Sequence, residues 1–198
     1  MSKKYAVALH LKSFLASPMR YLSSWRRLSA LGTQVQRWSD IKNIDTEWDE
    51  RTAIMAAMIA PRASVLEFGS GREQLEKFLP EGCTYQPSDI VARSARTLVC
   101  DLNIGFPQLP QRYDTIIFSG VIEYIQDLEF LFEQVRVHCG ECIVSYALAD
   151  QLHCVSTRME NGWVNHLPEE SLIALFKKAG FSIAEKKAWR QQMIYKLQ

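Results

Sequence analysis

The sequence predicts an α/β protein, a three-layer sandwich in which helices cover both faces of a seven-stranded, mostly parallel sheet. From residue 64 onward, short runs rich in β-branched residues alternate with helical patterns. Most of these runs are continuously apolar, which is typical of strands buried on both faces of a parallel sheet. The last two runs meet so tightly at Arg190 and Gln191 that they must pair antiparallel, which gives the sheet one antiparallel edge strand.

Seven runs along the chain are predicted to be strands: 65–68, 83–89, 97–100, 113–120, 142–148, 182–189 and 192–197. Helical periodicity predicts helices near 72–79, 127–138 and 168–179. The segment between the second and third strands is too short for a full helix, so we expect this crossover to be reduced to a turn.

Residues 1–60 are predicted to form an N-terminal helical extension, a lid or docking element, beside a main domain at 61–198. Apolar residues at helical spacing indicate two short helices before Gly32 and a third helix that Pro61 ends. Thr46 and Asp49 resemble a capping box at the start of the third helix.

Charge is unevenly distributed along the chain. Residues 1–40 carry seven Lys or Arg and one acid, whereas the remainder carries 16 basic and 21 acidic side chains. The basic segment suggests an anionic partner such as nucleic acid, an acidic substrate or a membrane surface; alternatively, its charges only solvate the outer face of helices. No run approaches the roughly 20 apolar residues of a membrane span. His10 and Lys12 interrupt the one stretch that resembles a signal peptide.

The five cysteines have no disulfide-framework spacing, which favours the reducing cytoplasm as the location. Cys139 and Cys142 form a C-x-x-C pair, but no second pair follows at zinc-ligand spacing. We therefore expect no metal site.

The strongest candidates for chemistry lie where the first three strands end, because open parallel sheets bind ligands at the carboxyl ends of their strands. Glu67 precedes glycines at 69 and 71, a turn that lets the backbone approach a ligand closely. Asp89 and Asp101 end the next two strands. Three carboxylates suit a cationic ligand with ribose hydroxyls and an exocyclic amine better than an anionic dinucleotide. Gln74 also breaks the dinucleotide fingerprint, and no phosphate-loop Gly-Lys-Ser/Thr follows.

The ordered motifs LEFGSG, YQPSDI, VCDL, YDTIIFSGVIEYI and NHLPEESLIALFKKAGF resemble those of class I S-adenosylmethionine-dependent methyltransferases. The resemblance covers residues 62 to 198 and implies a Rossmann-like sheet with its last strand reversed and S-adenosylmethionine as cofactor. The residues that it assigns to the cofactor are Glu67, Gly69, Ser70, Gly71, Ser119 and Gly120 for the methionine portion, Asp89 and Ile90 for the ribose, and Asp101 and Leu102 for the adenine.

Two features depart from the family pattern. Glu73 stands where the family often has a third glycine, and its carboxylate would lie unfavourably near that of the cofactor unless Arg72 compensates or Glu73 points to solvent. The short second crossover is the other departure, and it leaves the pocket more open on that side.

The acceptor decides whether a catalytic base is needed, because an oxygen nucleophile requires one near neutral pH and a neutral amine requires it less strictly. His166 and His153 flank the segment where the family builds substrate contacts, and Glu123 follows the fourth strand. These three are the candidate catalytic residues, in that order. The alternatives are that His166 caps the following helix and that Glu123 lies at an exposed helix start.

Three functions are therefore considered. The preferred one is a methyltransferase for a small-molecule or glycan acceptor, with O-methyl transfer favoured. The basic N-terminus suggests an RNA methyltransferase instead, although no Asn-Pro-Pro-Tyr-like base-flipping signature follows the fourth strand. Glu73 and the short crossover suggest a non-catalytic scaffold of the same fold.

Overall fold

The structure of the protein is a computed structural model that describes residues 33–151 and 155–198. The two helices expected before Gly32 and the candidate base His153 lie outside the described residues. The basic character of residues 1–32 therefore has no structural description either.

Seven strands form one sheet, and they occur at nearly the predicted positions: β1 (Ser64–Phe68), β2 (Thr84–Asp89), β3 (Leu98–Val99), β4 (Tyr113–Phe118), β5 (Cys139–Tyr146), β6 (Ile183–Trp189) and β7 (Gln192–Leu197). Their order across the sheet is β3-β2-β1-β4-β5-β7-β6. The first five strands are parallel, and β7 runs antiparallel to both of its neighbours. The predicted fold class is confirmed, with the reversed strand second from the edge because β6 lies outside it.

Six α-helices are present in the described residues: α1 (Val35–Ser39), α2 (Trp48–Ala56), α3 (Leu75–Phe78), α4 (Leu128–His138), α5 (Val155–Glu160) and α6 (Glu169–Lys178). Short 3-10 turns occur at Ile41–Asn43 and Ile122–Tyr124. No helix occurs between β2 and β3, as the short crossover predicted. The capping box expected at Thr46 is absent, because α2 begins at Trp48 without a side-chain cap.

Helices cover both faces of the sheet, and the alternation of side chains along β1 decides which face each residue serves. Leu66 and Phe68 belong to a core formed with α4 and α6. Val65 belongs to a second core, in which Met55 and Ala56 of α2 are also buried. Helix α2 is therefore part of the packed body, and the three-layer arrangement follows from these two cores.

The described residues contain no helix that is both long enough and apolar enough to cross a membrane.

The aromatic centre of the first core tests this packing. Phe132 of α4 is fully buried and contacts the rings of Phe118, Phe176 and Phe181. We expect Phe132→Ala to lower the free energy of unfolding by about 3–5 kcal/mol, because it leaves a cavity among these rings. Denaturant unfolding checks the value. Phe130→Ala on the same helix is the control: its side chain is 42% exposed, and a cost equal to that of Phe132→Ala would contradict the assigned core.

Candidate active site

One cleft opens beyond the carboxyl ends of the central strands. Its volume is about 1000 Å³, the open mouth included, which is at the upper end of the range for small-molecule sites. All ten residues that the resemblance assigns to the cofactor line it: Glu67, Gly69, Ser70, Gly71, Asp89, Ile90, Asp101, Leu102, Ser119 and Gly120. The N-terminal segment forms another part of the wall with Thr33, Trp38, Ile44, Asp45, Trp48, Asp49, Arg51 and Thr52.

The turn after β1 depends on glycine. Gly69 has φ +73°, in the left-handed region that favours glycine, and a Cβ at this position would lie 2.3 Å from Cγ2 of Val121. The loop after β4 therefore packs directly on the glycine turn. This contact brings the ends of β1 and β4 together at the floor of the cleft.

Asp89 fixes the same turn from the end of β2. The backbone N–H of Gly71 donates to its Oδ2 at 2.9 Å, and that of Val91 donates to its Oδ1 at 3.1 Å. Arg93 forms an ion pair with Oδ2 at 3.4 Å. A carboxylate has about four lone-pair sites, and these three donors leave one of them, on Oδ1, free to accept from a hydroxyl group.

Asp101 links the end of β3 to the N-terminal segment. Its Oδ1 accepts from the hydroxyl of Thr33 at 2.8 Å and from the backbone N–H of Asn103 at 2.9 Å. The Asn103 side chain donates to Thr33 Oγ1 and to the backbone oxygen of Tyr124. Polar groups at this end of the cleft are thus bound to one another.

Glu67 is a buried acid with one strong partner. It is 3% exposed, and its Oε2 accepts from the hydroxyl of Tyr85 on β2 at 2.5 Å. Burial raises the pKa of Glu67 to about 8, although the Tyr85 hydrogen bond and the charge of Arg51 act in the opposite direction. Glu67 therefore holds a proton at neutral pH until a cation approaches it.

Glu73 does not line the cleft, which removes the conflict that the sequence raised. The residue adopts φ +54°, the left-handed conformation that a glycine would take. Its Oε1 accepts from the hydroxyls of Ser94 and Thr97, and its Oε2 pairs with Arg96 at 3.4 Å. Glu73 thus anchors the short crossover between β2 and β3. The two departures from the family pattern are therefore in contact with each other.

Arg51 of α2 is the functional candidate that the sequence analysis missed. It is 5% exposed, and its guanidinium donates to Ser119 Oγ, to Ser119 O and to Gln192 Oε1 at 2.8–3.1 Å. The rings of Trp48 and Trp189 lie on it, with centroids within 5.6 Å. Burial lowers the pKa of Arg51 from its ordinary value, an effect that the nearby Glu123 opposes.

The charge of Arg51 has no carboxylate partner at ion-pair distance among the residues that the structure describes. A Cβ on Gly120 would lie 2.7 Å from its Nη1, so the glycine after β4 makes room for the guanidinium. No sequence signal marked this residue, because an Arg between Glu50 and Thr52 in an amphipathic helix is typical of a solvent-facing position.

His166 does not line the cleft. Its Nδ1 accepts from Nε of Arg158 at 3.1 Å, and burial, followed by the charge of Arg158, lowers its pKa. Arg158 is fully buried, donates to Ala147 O and Tyr146 Oη, and lies against the ring of Trp163. The imidazole belongs to this network rather than to the cleft wall.

Glu123 is also away from the cleft wall, and the alternative that it begins an exposed helix is wrong. It is 1% exposed, and its Oε1 accepts from the backbone N–H of Ala147 at 2.9 Å. Its Oε2 has no hydrogen-bond partner within the described part of the chain, and burial raises its pKa. With His153 outside the described residues, none of the three candidate bases is placed on the cleft.

A family described as a methyltransferase domain matches residues 41–186, which is most of the chain. The chain therefore belongs to this methyltransferase family, and the class that the motifs resembled is confirmed. S-adenosylmethionine is the cofactor of this fold, and the protein is an S-adenosylmethionine-dependent methyltransferase. No curated protein matches the sequence significantly.

Three solved structures illustrate the likeness in fold. The 1,6-didemethyltoxoflavin-N1-methyltransferase of Burkholderia thailandensis, with its acceptor and S-adenosylhomocysteine bound, is 17% identical over 92% of this chain and 90% of its own, with TM-score 0.62. The mitomycin 7-O-methyltransferase is 14% identical over 93% and 69%, with TM-score 0.62. An O-methyltransferase from neocarzinostatin biosynthesis, with S-adenosylhomocysteine and 1,4-dihydroxy-2-naphthoic acid, is 17% identical over 82% and 60%, with TM-score 0.61. At these identities the likeness shows the fold alone.

The cleft suits the cofactor by its own chemistry. The buried acid Glu67 and the strand-end acids Asp89 and Asp101 favour an ammonium group and hydroxyl donors. Arg51 is the one buried cation among the described lining residues. The buried hydroxyl of Ser70 also lines the cleft, and it has no hydrogen-bond partner within the described residues. Both charges of an amino acid moiety therefore find an opposite charge.

Cofactor affinity should depend on pH through Glu67. An ammonium group beside Glu67 favours its ionised form, so binding below pH 8 must release the proton that Glu67 holds. We expect the affinity for S-adenosylmethionine to rise by up to about tenfold per pH unit below pH 8 and to level off near pH 8. Calorimetry in buffers of different ionisation enthalpy measures the released proton. The Glu67→Gln variant should bind more weakly without this release, and an unchanged release would exclude Glu67.

Proposed function

We propose that the protein transfers a methyl group from S-adenosylmethionine to a small-molecule acceptor, with transfer to oxygen favoured. The observation that carries the proposal is the convergence of the strand-end acids, the glycine turn and the unpaired Arg51 on one cleft. S-adenosylmethionine supplies an electrophilic methyl group on a sulfonium. The protein has to hold the acceptor in line with it and exclude water, which can supply much of the rate enhancement.

Four charged side chains of the cleft have a role in this proposal. Glu67 pairs with the cofactor's ammonium group, and Asp89 accepts from a ribose hydroxyl with Ile90 beside it. Asp101 and Leu102 contact the adenine. Arg51, with the hydroxyl of Ser119, binds the carboxylate, as planar guanidinium groups do well. Gly69, Ser70, Gly71 and Gly120 let the backbone approach the methionine portion.

The N-terminal segment has two roles in the proposal. Within the predicted extension at 1–60, helix α2 supplies Arg51 and packs in the core, whereas residues 33–45 cover the cleft. Arg37 donates to Asn161 O at 2.8 Å, and a Cβ on Gly162 would lie 2.4 Å from the Gln34 side chain. The covering segment is thus held against the loop at 161–163, which positions it as a lid over the acceptor.

No imidazole of the described residues lines the cleft. An acceptor oxygen that ionises without help near neutral pH, such as an acidic phenol or a carboxylate, therefore suits this site better than an alcohol. The hypothesis of a non-catalytic scaffold was based on Glu73 and the short crossover. Because Glu73 anchors that crossover and leaves the cleft clear, neither feature supports this hypothesis. No contact in the described residues favours an RNA acceptor.

Removal of one strand-end acid tests the proposal. We expect Asp89→Ala to weaken the binding of S-adenosylmethionine by about 1.5–3 kcal/mol, the scale of hydrogen bonds to a charged group. Glu129→Ala is the control, since it removes an exposed carboxylate whose only described ion pair is with Lys178 at the surface. Calorimetry measures both variants, and circular dichroism checks their fold. Equal affinities in the two variants would exclude Asp89 from the site, and no binding by the unaltered protein would overturn the function.

A further inference from the structure

The wall of the cleft next to the lid segment is aromatic. Trp38, Trp48 and Tyr124 all line it. The rings of Trp38 and Tyr124 meet edge to face with centroids 5.4 Å apart, and those of Trp38 and Trp48 are 6.4 Å apart. We call the pair of Trp38 and Tyr124 the aromatic corner. Such a surface binds flat apolar molecules well, because aromatic rings attract one another at these separations.

Contacts with neighbouring polar and charged groups hold the aromatic corner in place. The guanidinium of Arg37 lies 5.0 Å from the ring of Trp38, and Arg93 donates to the backbone oxygen of Trp38. Asn103 donates to the backbone oxygen of Tyr124 at 2.9 Å. The corner is therefore preformed, which lowers the entropic cost of binding a rigid ligand there.

The hydroxyl of Tyr124 has a hydrogen-bond donor that no described residue accepts. Nε1 of Trp163 donates to its oxygen at 3.1 Å, and within the described residues no acceptor lies within reach of its proton. Burial raises the pKa of Tyr124 to about 12, so the proton stays in place near neutral pH. A hydroxyl that accepts from Trp163 and keeps its own proton still has that proton to donate to a further partner.

The other polar groups near the corner already have hydrogen-bond partners within the protein. Thr33, Asp101 and Asn103 are bound to one another, and Asn103 also holds the backbone of Tyr124. A saccharide carries many hydroxyls that each require a partner, and an RNA base requires basic groups for its phosphates. A flat molecule with one oxygen directed at Tyr124 has fewer requirements, and the corner meets them.

From this geometry we propose that the acceptor is a planar aromatic molecule that packs on the aromatic corner and presents an oxygen atom to the hydroxyl of Tyr124. Trp163 is a positioning residue, because it acts by orienting that hydroxyl. The proposal rests on the proposed function and names its substrate class. An acidic phenol is a nucleophile that suits this corner, because it ionises near neutral pH without an imidazole, and no imidazole lines the described cleft wall.

The step balances without a further reactant. A phenol that has lost its proton to water carries the attacking electron pair on oxygen. This oxygen forms the new bond to the methyl carbon as the sulfur–carbon bond breaks, and the electrons of that bond remain on sulfur. A second oxygen of the acceptor, such as a neighbouring carbonyl or carboxylate, receives the Tyr124 hydrogen bond, so that the nucleophile itself keeps its lone pair.

The test measures binding of hydroxylated benzoic and naphthoic acids, 1,4-dihydroxy-2-naphthoic acid among them, to the full chain saturated with S-adenosylhomocysteine. Methyl glucoside and a single-stranded RNA oligonucleotide are the comparison probes. Calorimetry and tryptophan fluorescence give the dissociation constants. We expect at least one aromatic acid to bind and to be methylated when S-adenosylmethionine replaces the product, while the comparison probes bind more weakly.

Two variants locate the probe at the corner. Tyr124→Phe keeps the ring and should weaken binding of the aromatic acid by about ten- to a hundredfold, the worth of one hydrogen bond to a carboxylate, with cofactor affinity unchanged. Trp163→Phe should weaken it in the same direction and have no further effect in the Tyr124→Phe background. Tyr113→Phe, at the opposite end of β4, is the matched control and should change nothing.

The outcomes separate this inference from the proposed function. If the cofactor binds but no aromatic acid does, or if Tyr124→Phe leaves the affinity for the acid unchanged, the aromatic acceptor is wrong while the methyltransferase remains. Additive effects of the Tyr124 and Trp163 substitutions would remove the positioning role of Trp163. Failure of the cofactor itself to bind would overturn the proposed function first.

Discussion

The structure depends on a buried cation that the described protein neutralises only in part. Arg51 lies at the floor of the cleft, where it ties helix α2 to the end of β4 and to β7 through Ser119 and Gln192. All three acceptors are uncharged, and the nearest buried acids act on it only at longer range. Burial of a charge is costly unless it is paired. Folding has already removed the guanidinium of Arg51 from water. An anionic group that enters the cleft is therefore attracted to Arg51 without a further desolvation cost for the guanidinium.

The acids at the strand ends form the other half of this arrangement. These acids and Arg51 line the same cleft. The cleft therefore presents both acidic and basic groups to a ligand that carries an ammonium and a carboxylate group. Tyr85 keeps Glu67 oriented from the neighbouring strand, and Gly71 keeps Asp89 oriented through its backbone N–H. The parallel sheet makes this possible, because it delivers successive strand ends to one edge.

Most of the fold could be predicted from sequence, for reasons that particular elements illustrate. Val65–Phe68, apolar except for Glu67, predicts a strand buried on both faces, and the tight connection at Arg190 required a reversed strand. The strand-end acids and glycines could be predicted because chain order places them together. Arg51, the lid contacts of Arg37 and the network around Arg158 could not, because each depends on partners more than 60 residues away or on burial that a lone Arg does not signal. Burial likewise decides that His166 accepts from Arg158 and that Glu123 is enclosed rather than exposed.

The most direct measurement compares S-adenosylmethionine with its decarboxylated analogue by calorimetry, in the unaltered protein and in Arg51→Gln. If Arg51 binds the carboxylate, loss of that group weakens binding to the unaltered protein by about tenfold or more, the scale of a charge-assisted hydrogen bond, and has little effect on the variant. Arg51→Lys, which retains the charge, should restore part of the difference. An equal loss in all three proteins would show that the carboxylate lies elsewhere and would contradict the role of Arg51 as its partner.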